Sequence, residues 1–186
     1  MTEPIFEFQP WPKIARLNRN CVITEKLDGT NAAIIITEQM QVGAQSRKRL
    51  ITTEDDNYGF ARWVADNEEQ LACLLGPGRH FGEWWGAGIQ RRYGMTEKRF
   101  SLFNAGRWAD MDLAEVPQLG TVPVLYDGPF STHEVEEVVR DLDYLGSKAA
   151  PDFYDPEGVV VFLSASREMY KVTIKGDDVP KSVQAS

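Results

Sequence analysis

Apolar residues in this chain come in short runs separated by glycine, proline or clustered polar residues, and most runs are too short for helices. Positions 22–24 and 31–37 read as strands on either side of the polar stretch Glu25-Lys26-Leu27-Asp28-Gly29-Thr30, a strand–turn–strand unit of hairpin form. Further strands are expected at 40–45, 80–85, 99–104 and 122–126. Runs at 158–163 and 169–174 form a closing hairpin around Ser164-Ala165-Ser166. Only two stretches carry helical spacing. Phe60, Val64, Leu71, Leu74 and Leu75 predict one helix over 58–75, with Asp56 or Asn57 as cap and Gly76-Pro77-Gly78 as stop. Ser131-Thr132-His133-Glu134 is a capping box that opens a second helix to Leu145, with Gly146 just past its end. Strands therefore dominate, with two helices beside them, and the fold class is α+β.

Length and composition narrow the class. The 186 residues fit one domain spanning 1–186, and a hydrophobic content of 42% is enough for a core. Cys21 and Cys73 make no disulfide framework, and no stretch has the length of a membrane span. The expectation is a cytoplasmic protein. The formal charge of −8 argues mildly against nucleic acid as partner, but bases cluster at Arg47-Lys48-Arg49, Arg91-Arg92 and Lys98-Arg99.

The chemistry is concentrated at the turn. Lys26 sits at the mouth of a strand, with Asp28 and Gly29 after it. A lysine held in this way becomes a nucleophile when its amine is neutral. Five further segments supply what such a nucleophile needs. Arg47 can hold a ribose hydroxyl or a phosphate. Glu83, within Phe81-Gly82-Glu83-Trp84-Trp85-Gly86, can accept from a ribose. Phe100-Ser101-Leu102-Phe103-Asn104 offers an aromatic face to a purine. Glu157 stands at the lip of the apolar run 158–163, a suitable place for a metal ligand beside phosphates. Lys171 and Lys175 share one strand face because their separation is even. Taken singly, the same residues read differently. Lys26 alone is a solvated lysine, Phe103 alone a core residue, Trp84 and Trp85 packing, and Arg91-Arg92 a solvated pair. His80 and His133 carry no chemistry, and no zinc-ligand spacing appears.

In their order along the chain, these segments resemble motifs I, III, IIIa, IV and V of the covalent nucleotidyltransferases, which include DNA and RNA ligases and mRNA capping enzymes. The form Glu25-Lys26-x-x-Gly29-Thr30-Asn31 is similar to the type 2 (Rnl2-like) ATP-dependent RNA ligases. The resemblance implies the nucleotidyltransferase, ATP-grasp-like adenylation fold, with ATP and Mg²⁺ or Mn²⁺ as cofactors. It also implies roles: Lys26 as nucleophile, Glu25 by the adenine, Asn31 and Arg47 on ribose or phosphate, and Glu83 on ribose. Phe103 would stack on the base, Glu157 would serve the metal, and Lys171 would contact the α-phosphate, with Lys175 as second choice. The family's last motif is Lys-x-Lys, and here Thr173 takes its second position. Only 11 residues follow Lys175, so no appended C-terminal domain is expected. Lys48, Arg91 and Arg92 are then the candidate nucleic-acid contacts.

The implied reaction joins 5′-phosphate and 3′-hydroxyl ends of RNA, or DNA, through a lysyl-AMP. A DNA ligase or a capping-type guanylyltransferase would use the same lysine. A non-catalytic nucleotide-binding module is the reading from another class, and a pure binder has no need of Lys26.

Overall fold

The structure is a computed structural model that describes residues 7–14, 16 and 19–175. Two sheets carry it. The first has four strands, all antiparallel, in the order β10-β9-β1-β8. Here β1 is Asn20–Lys26, β8 Val124–Pro129, β9 Gly158–Leu163 and β10 Glu168–Thr173. The second has six strands in the order β4-β3-β2-β5-β6-β7. These are β2 Thr30–Ile36, β3 Val42–Ser46, β4 Leu50–Ile51, β5 Gly78–Gly86, β6 Lys98–Leu102 and β7 Leu119–Thr121. Among the described residues, only the β6–β7 pair is parallel.

Three sequence expectations change here. The strands flanking Lys26 do not form a hairpin. β1 pairs with β8 and β9, β2 pairs with β3 and β5, and residues 27–29 cross from one sheet to the other. The run at 122–126 is not one strand, because Val122 and Pro123 separate β7 from β8 as the chain changes sheets. The helix expected over 58–75 is two, α1 Phe60–Asp66 and α2 Glu68–Leu75, broken at Asn67. The Asn67 side chain donates to the Trp63 carbonyl at 2.7 Å, a local bond that competes with the helix ladder. Asp56 closes the first turn of α1, accepting from the N–H groups of Ala61 and Arg62 at 2.8 and 3.0 Å.

Period-2 burial decides which face is which. Ala32, Ile34 and Ile36 of β2 join Trp84, Phe100 and Leu102 under α1 and α2 as the larger core. Cys21 and Ile23 of β1 join Val159 and Val161 under α3, Thr132–Leu145, as a second core. Ser131 caps α3 as its sequence predicts, accepting from the Glu134 N–H at 3.1 Å. A third cluster of Leu27, Trp85, Tyr93, Val122 and Ala150 fills the junction where the chain crosses between sheets. Among the described residues, no helix is long and apolar enough to cross a membrane.

Candidate nucleotidyl-transfer site

Register places Lys26 at the end of β1. It lies opposite Gly158 of β9, which lies opposite Thr173 of β10. Directly opposed residues project on the same face. Lys26 therefore lies on the face opposite Ile23 and Glu25, away from α3. Thr24, Val160 and Lys171 form the next-but-one row on that same face. Gly158 is obligatory in this row. Its φ is +151°, and a Cβ there would overlap the Val172 carbonyl oxygen of β10.

The Lys26 amine reaches across this row to Glu157, with Nζ 2.6 Å from Oε1. The second carboxylate oxygen, Oε2, is buried and has no hydrogen-bond partner in the protein. A buried carboxylate oxygen without a donor is a place where a cation or a further donor belongs. Among the described residues, no group of three or more His, Cys, Asp or Glu side chains gathers to hold a metal. A metal on Glu157 would thus take its remaining ligands from phosphate and water, as Mg²⁺ at nucleotide sites does.

Glu83 anchors the lysine turn to the six-stranded sheet. Its Oε1 accepts from the Gly29 N–H at 3.0 Å and its Oε2 from Asn31 Nδ2 at 2.7 Å. Asn31 and Glu83 are register partners on β2 and β5. Burial pushes the Glu83 carboxyl up to about 7, against the opposing pull of Asn31, the Gly29 N–H and Lys26. Gly29 fits because it has no Cβ. One placed there would overlap the Trp84 carbonyl oxygen and the Trp85 side chain. That close approach explains the glycine in Lys-x-Asp-Gly.

Continuing along β5 on the Glu83 face, Phe81 lies beside Phe103, whose N–H donates to the Phe81 carbonyl at 3.0 Å. Phe103 is 41% exposed and Phe81 53%. The core reading of Phe103 is therefore wrong: it stands on the open face. Sequence reasoning passed over Phe81, although its even spacing from Glu83 places it on that face. Arg47 and Lys48 occupy the exposed turn between β3 and β4. Arg49 beside them is taken by Asp55 in a two-point ion pair.

Other candidates are placed differently from their expected settings. The Glu25 side chain faces away from Lys26. It accepts from Ser147 Oγ at 2.5 Å and from the N–H groups of Lys148 and Ala149 at 2.8 and 3.0 Å. Burial raises its carboxyl, and those three donors oppose the shift. The Glu25 backbone N–H donates to the Pro123 carbonyl at 2.9 Å. Lys175 Nζ is 2.6 Å from Asp155. Arg91 is not a free surface cation, since it pairs with Asp28 and Asp155. Arg92 is exposed. Trp84 and Trp85 are buried packing residues. His80 is buried against Trp108 with its Nε2 at the Gly76 carbonyl, and His133 lies on exposed α3.

Residues 19–173 match the family model described as RNA ligase. No curated protein matches the chain. Among solved structures, the chain is similar to RNA ligase from Naegleria gruberi. A variant with ATP and Mn superposes at TM-score 0.65 and 19% identity, covering 84% of this chain and 50% of that one. The ligase with PPi gives TM-score 0.62 at 20% identity, over 83% and 49%. A variant with AMP and Mn gives 0.61 at 17%, over 84% and 50%. These likenesses establish a shared fold, and the chain spans about half the length of the ligases it matches.

Proposed function

The chain belongs to the RNA ligase family, and from that premise we propose that it is an ATP-dependent ligase that joins RNA ends through a lysyl-AMP on Lys26. The observation that carries this reading is the Lys26 amine 2.6 Å from a Glu157 carboxylate whose other oxygen has no partner in the protein.

The Lys26 amine, having given up a proton to solvent, attacks the α-phosphorus of ATP; an N–P bond forms, the bond to pyrophosphate breaks, and the nitrogen sheds a further proton as the phosphoramidate forms. A 5′-phosphate oxygen of the RNA then takes the adenylyl group from Lys26, restoring the amine. A 3′-hydroxyl attacks that 5′-phosphorus and releases AMP, leaving a phosphodiester. Each step is in-line transfer at phosphorus, so positioning and charge neutralisation supply most of the rate.

The residues divide the work by location. Phe103 stacks on adenine, and Glu83 and Asn31 face the ribose beside it. Lys171 lies on the Lys26 face of its sheet and neutralises the α-phosphate; Lys175, held by Asp155, is the weaker choice. Arg47 contacts ribose or phosphate at the sheet edge. Glu25 acts near the base through its backbone, its carboxylate being engaged elsewhere. Among the described residues, Glu157 would hold Mg²⁺ or Mn²⁺, which would supply positive charge to the triphosphate. Lys48 and Arg92, both exposed, contact RNA phosphates. The cytoplasm is the compartment that fits these substrates.

The test is incubation with labelled ATP or GTP plus metal, followed by denaturing electrophoresis. The expected adduct forms with ATP, is acid-labile and resists hydroxylamine, as a P–N bond does. Lys26→Ala abolishes it. Labelling that survives in Lys26→Ala overturns the assignment, and labelling by GTP alone makes the chain a capping-type guanylyltransferase. Nicked all-RNA and all-DNA duplexes then separate RNA from DNA ligase activity.

A further inference from the structure

Two residues after Lys26 stands Asp28, and two residues before Glu157 stands Asp155. One side chain holds both. Arg91 Nε donates to Asp28 Oδ2 at 3.0 Å, while its Nη1 lies 2.9 Å from Asp155 Oδ2 and donates to the Asp155 carbonyl at 3.0 Å. The rigid guanidinium fork suits a span between two carboxylates, which a lysine ammonium cannot reproduce. The Arg91 side chain is 22% exposed, low for an arginine in a surface loop.

The loop carrying Arg91 is built for this task. Tyr93 packs between the rings of Trp85 and Phe153, at centroid distances of 4.9 and 4.6 Å. Its hydroxyl accepts from the Asp28 N–H at 2.8 Å, so the loop grips Asp28 at backbone and side chain together. Gln90, Arg92 and Tyr93 all adopt positive φ, at 42°, 60° and 51°. Left-handed backbone at three non-glycine residues persists only where the surroundings enforce it, and such strain gathers at functional sites.

We infer that Arg91 is a positioning residue. It ties the segment bearing Lys26 to the segment bearing Glu157, sets the separation of amine and carboxylate, and does not grip RNA. This rests on the reading of Lys26 as nucleophile. Small errors in placement are costly in such chemistry: a shift of about 1 Å can cost roughly a hundredfold in rate.

The experiment compares wild type, Arg91→Lys and Arg91→Ala in the full chain. The single-turnover rate of adenylylation falls at least about tenfold in both variants, while KM for ATP changes less than about threefold. The slope of log RNA affinity against log salt stays unchanged. Adding Asp28→Ala to Arg91→Ala causes no further loss, because the Asp28 carboxylate acts through its bond to Arg91. A readout independent of ligation is the modification rate of individual lysines by an amine-reactive reagent, followed by peptide mass spectrometry. In Arg91→Lys, Lys26 is modified faster while Lys98 and Lys171 keep their wild-type rates. This readout decides the clamp even if no adenylate forms, and it still applies in Arg91→Lys if Arg91→Ala fails to fold. Uniform acceleration at all three lysines overturns the inference, making Arg91 part of the general scaffold. Unchanged adenylylation and Lys26 reactivity, with a salt slope smaller by about one, also overturns it, making Arg91 a phosphate contact.

Discussion

Lys26 holds only one oxygen of Glu157, at 2.6 Å; the other oxygen is buried without a partner in the protein. A buried acceptor left unpaired costs about 1–3 kcal/mol, more when charged. The site is therefore more favourable once a cation or donor reaches that oxygen.

This asymmetry yields a prediction for metal dependence. Glu157→Gln keeps the shape and removes the charge. The Mn²⁺ concentration for half-maximal adenylylation should rise by more than about tenfold, while the thermal midpoint changes little or rises. Metal titration of the adenylylation rate decides it. An unchanged midpoint for Mn²⁺ would remove Glu157 from the metal site.

Glu83 makes stability depend on pH with a definite sign. Its folded carboxyl sits at about 7, against 4.5 for the free group, so the folded chain keeps a proton that the unfolded chain has lost. The protonated form's advantage is complete below about 4.5 and is lost as pH rises through about 7. Stability without nucleotide should fall across that window by an amount on the order of 3 kcal/mol, at 1.36 kcal/mol per unit. Glu25, raised in the same direction, adds to the fall. Urea midpoints measured from pH 5 to 8 should decline in wild type and flatten in Glu83→Gln. A midpoint that rises with pH would contradict the assignment.

Phe103 is exposed enough that its loss should spare the fold. Phe103→Ala should lose about 1–3 kcal/mol of ATP affinity, the range for base–aromatic stacking, with the thermal midpoint unchanged. Phe103→Trp should retain most of the affinity. Calorimetric titration with ATP in the presence of metal measures both. Loss of affinity on Phe81→Ala but not on Phe103→Ala would move the platform one strand over.

At Gly29 the backbone of the lysine turn lies against β5 with no room for a methyl group. Gly29→Ala should therefore displace the turn, cost about 1–3 kcal/mol in stability and reduce adenylylation more than ATP binding. Chemical denaturation and adenylylation kinetics on the same preparation check the pair. Full activity in this variant would mean that the turn can shift without consequence.

The candidate site was partly legible from sequence, since Lys26, Glu83 and Glu157 each border an apolar run. The even spacing of Lys171 and Lys175 did not put both on one strand face, because β10 ends at Thr173 and Lys175 lies beyond it. Partner choice was not legible. Asp28-Gly29 is the local signal of a hairpin, yet strands far away in sequence capture β1 and β2, and nothing within residues 22–37 reveals β8, β9 or β5 as their partners. Exposure was equally hidden: a phenylalanine in an apolar strand looks the same whether its face is covered or open. Arg91 and Arg92 look alike in a string of letters. Only the fold puts Asp28 and Asp155 within reach of one and leaves the other on the surface.

The crossing of residues 27–29 between the sheets bears on how the chain acquires its chemistry. The bonds that hold the turn join residues 54, 65 and 124 positions apart, from Gly29 to Glu83, Asp28 to Tyr93 and Glu25 to Ala149. Contacts of such separation come late in folding, because long loops must close before they form. With Lys26 as the proposed nucleophile, a nascent or misassembled chain would present it as an ordinary lysine that does not react with ATP. Covalent labelling then serves as a census of correctly folded molecules, and the labelled fraction of a preparation should track its cooperatively folded fraction one for one.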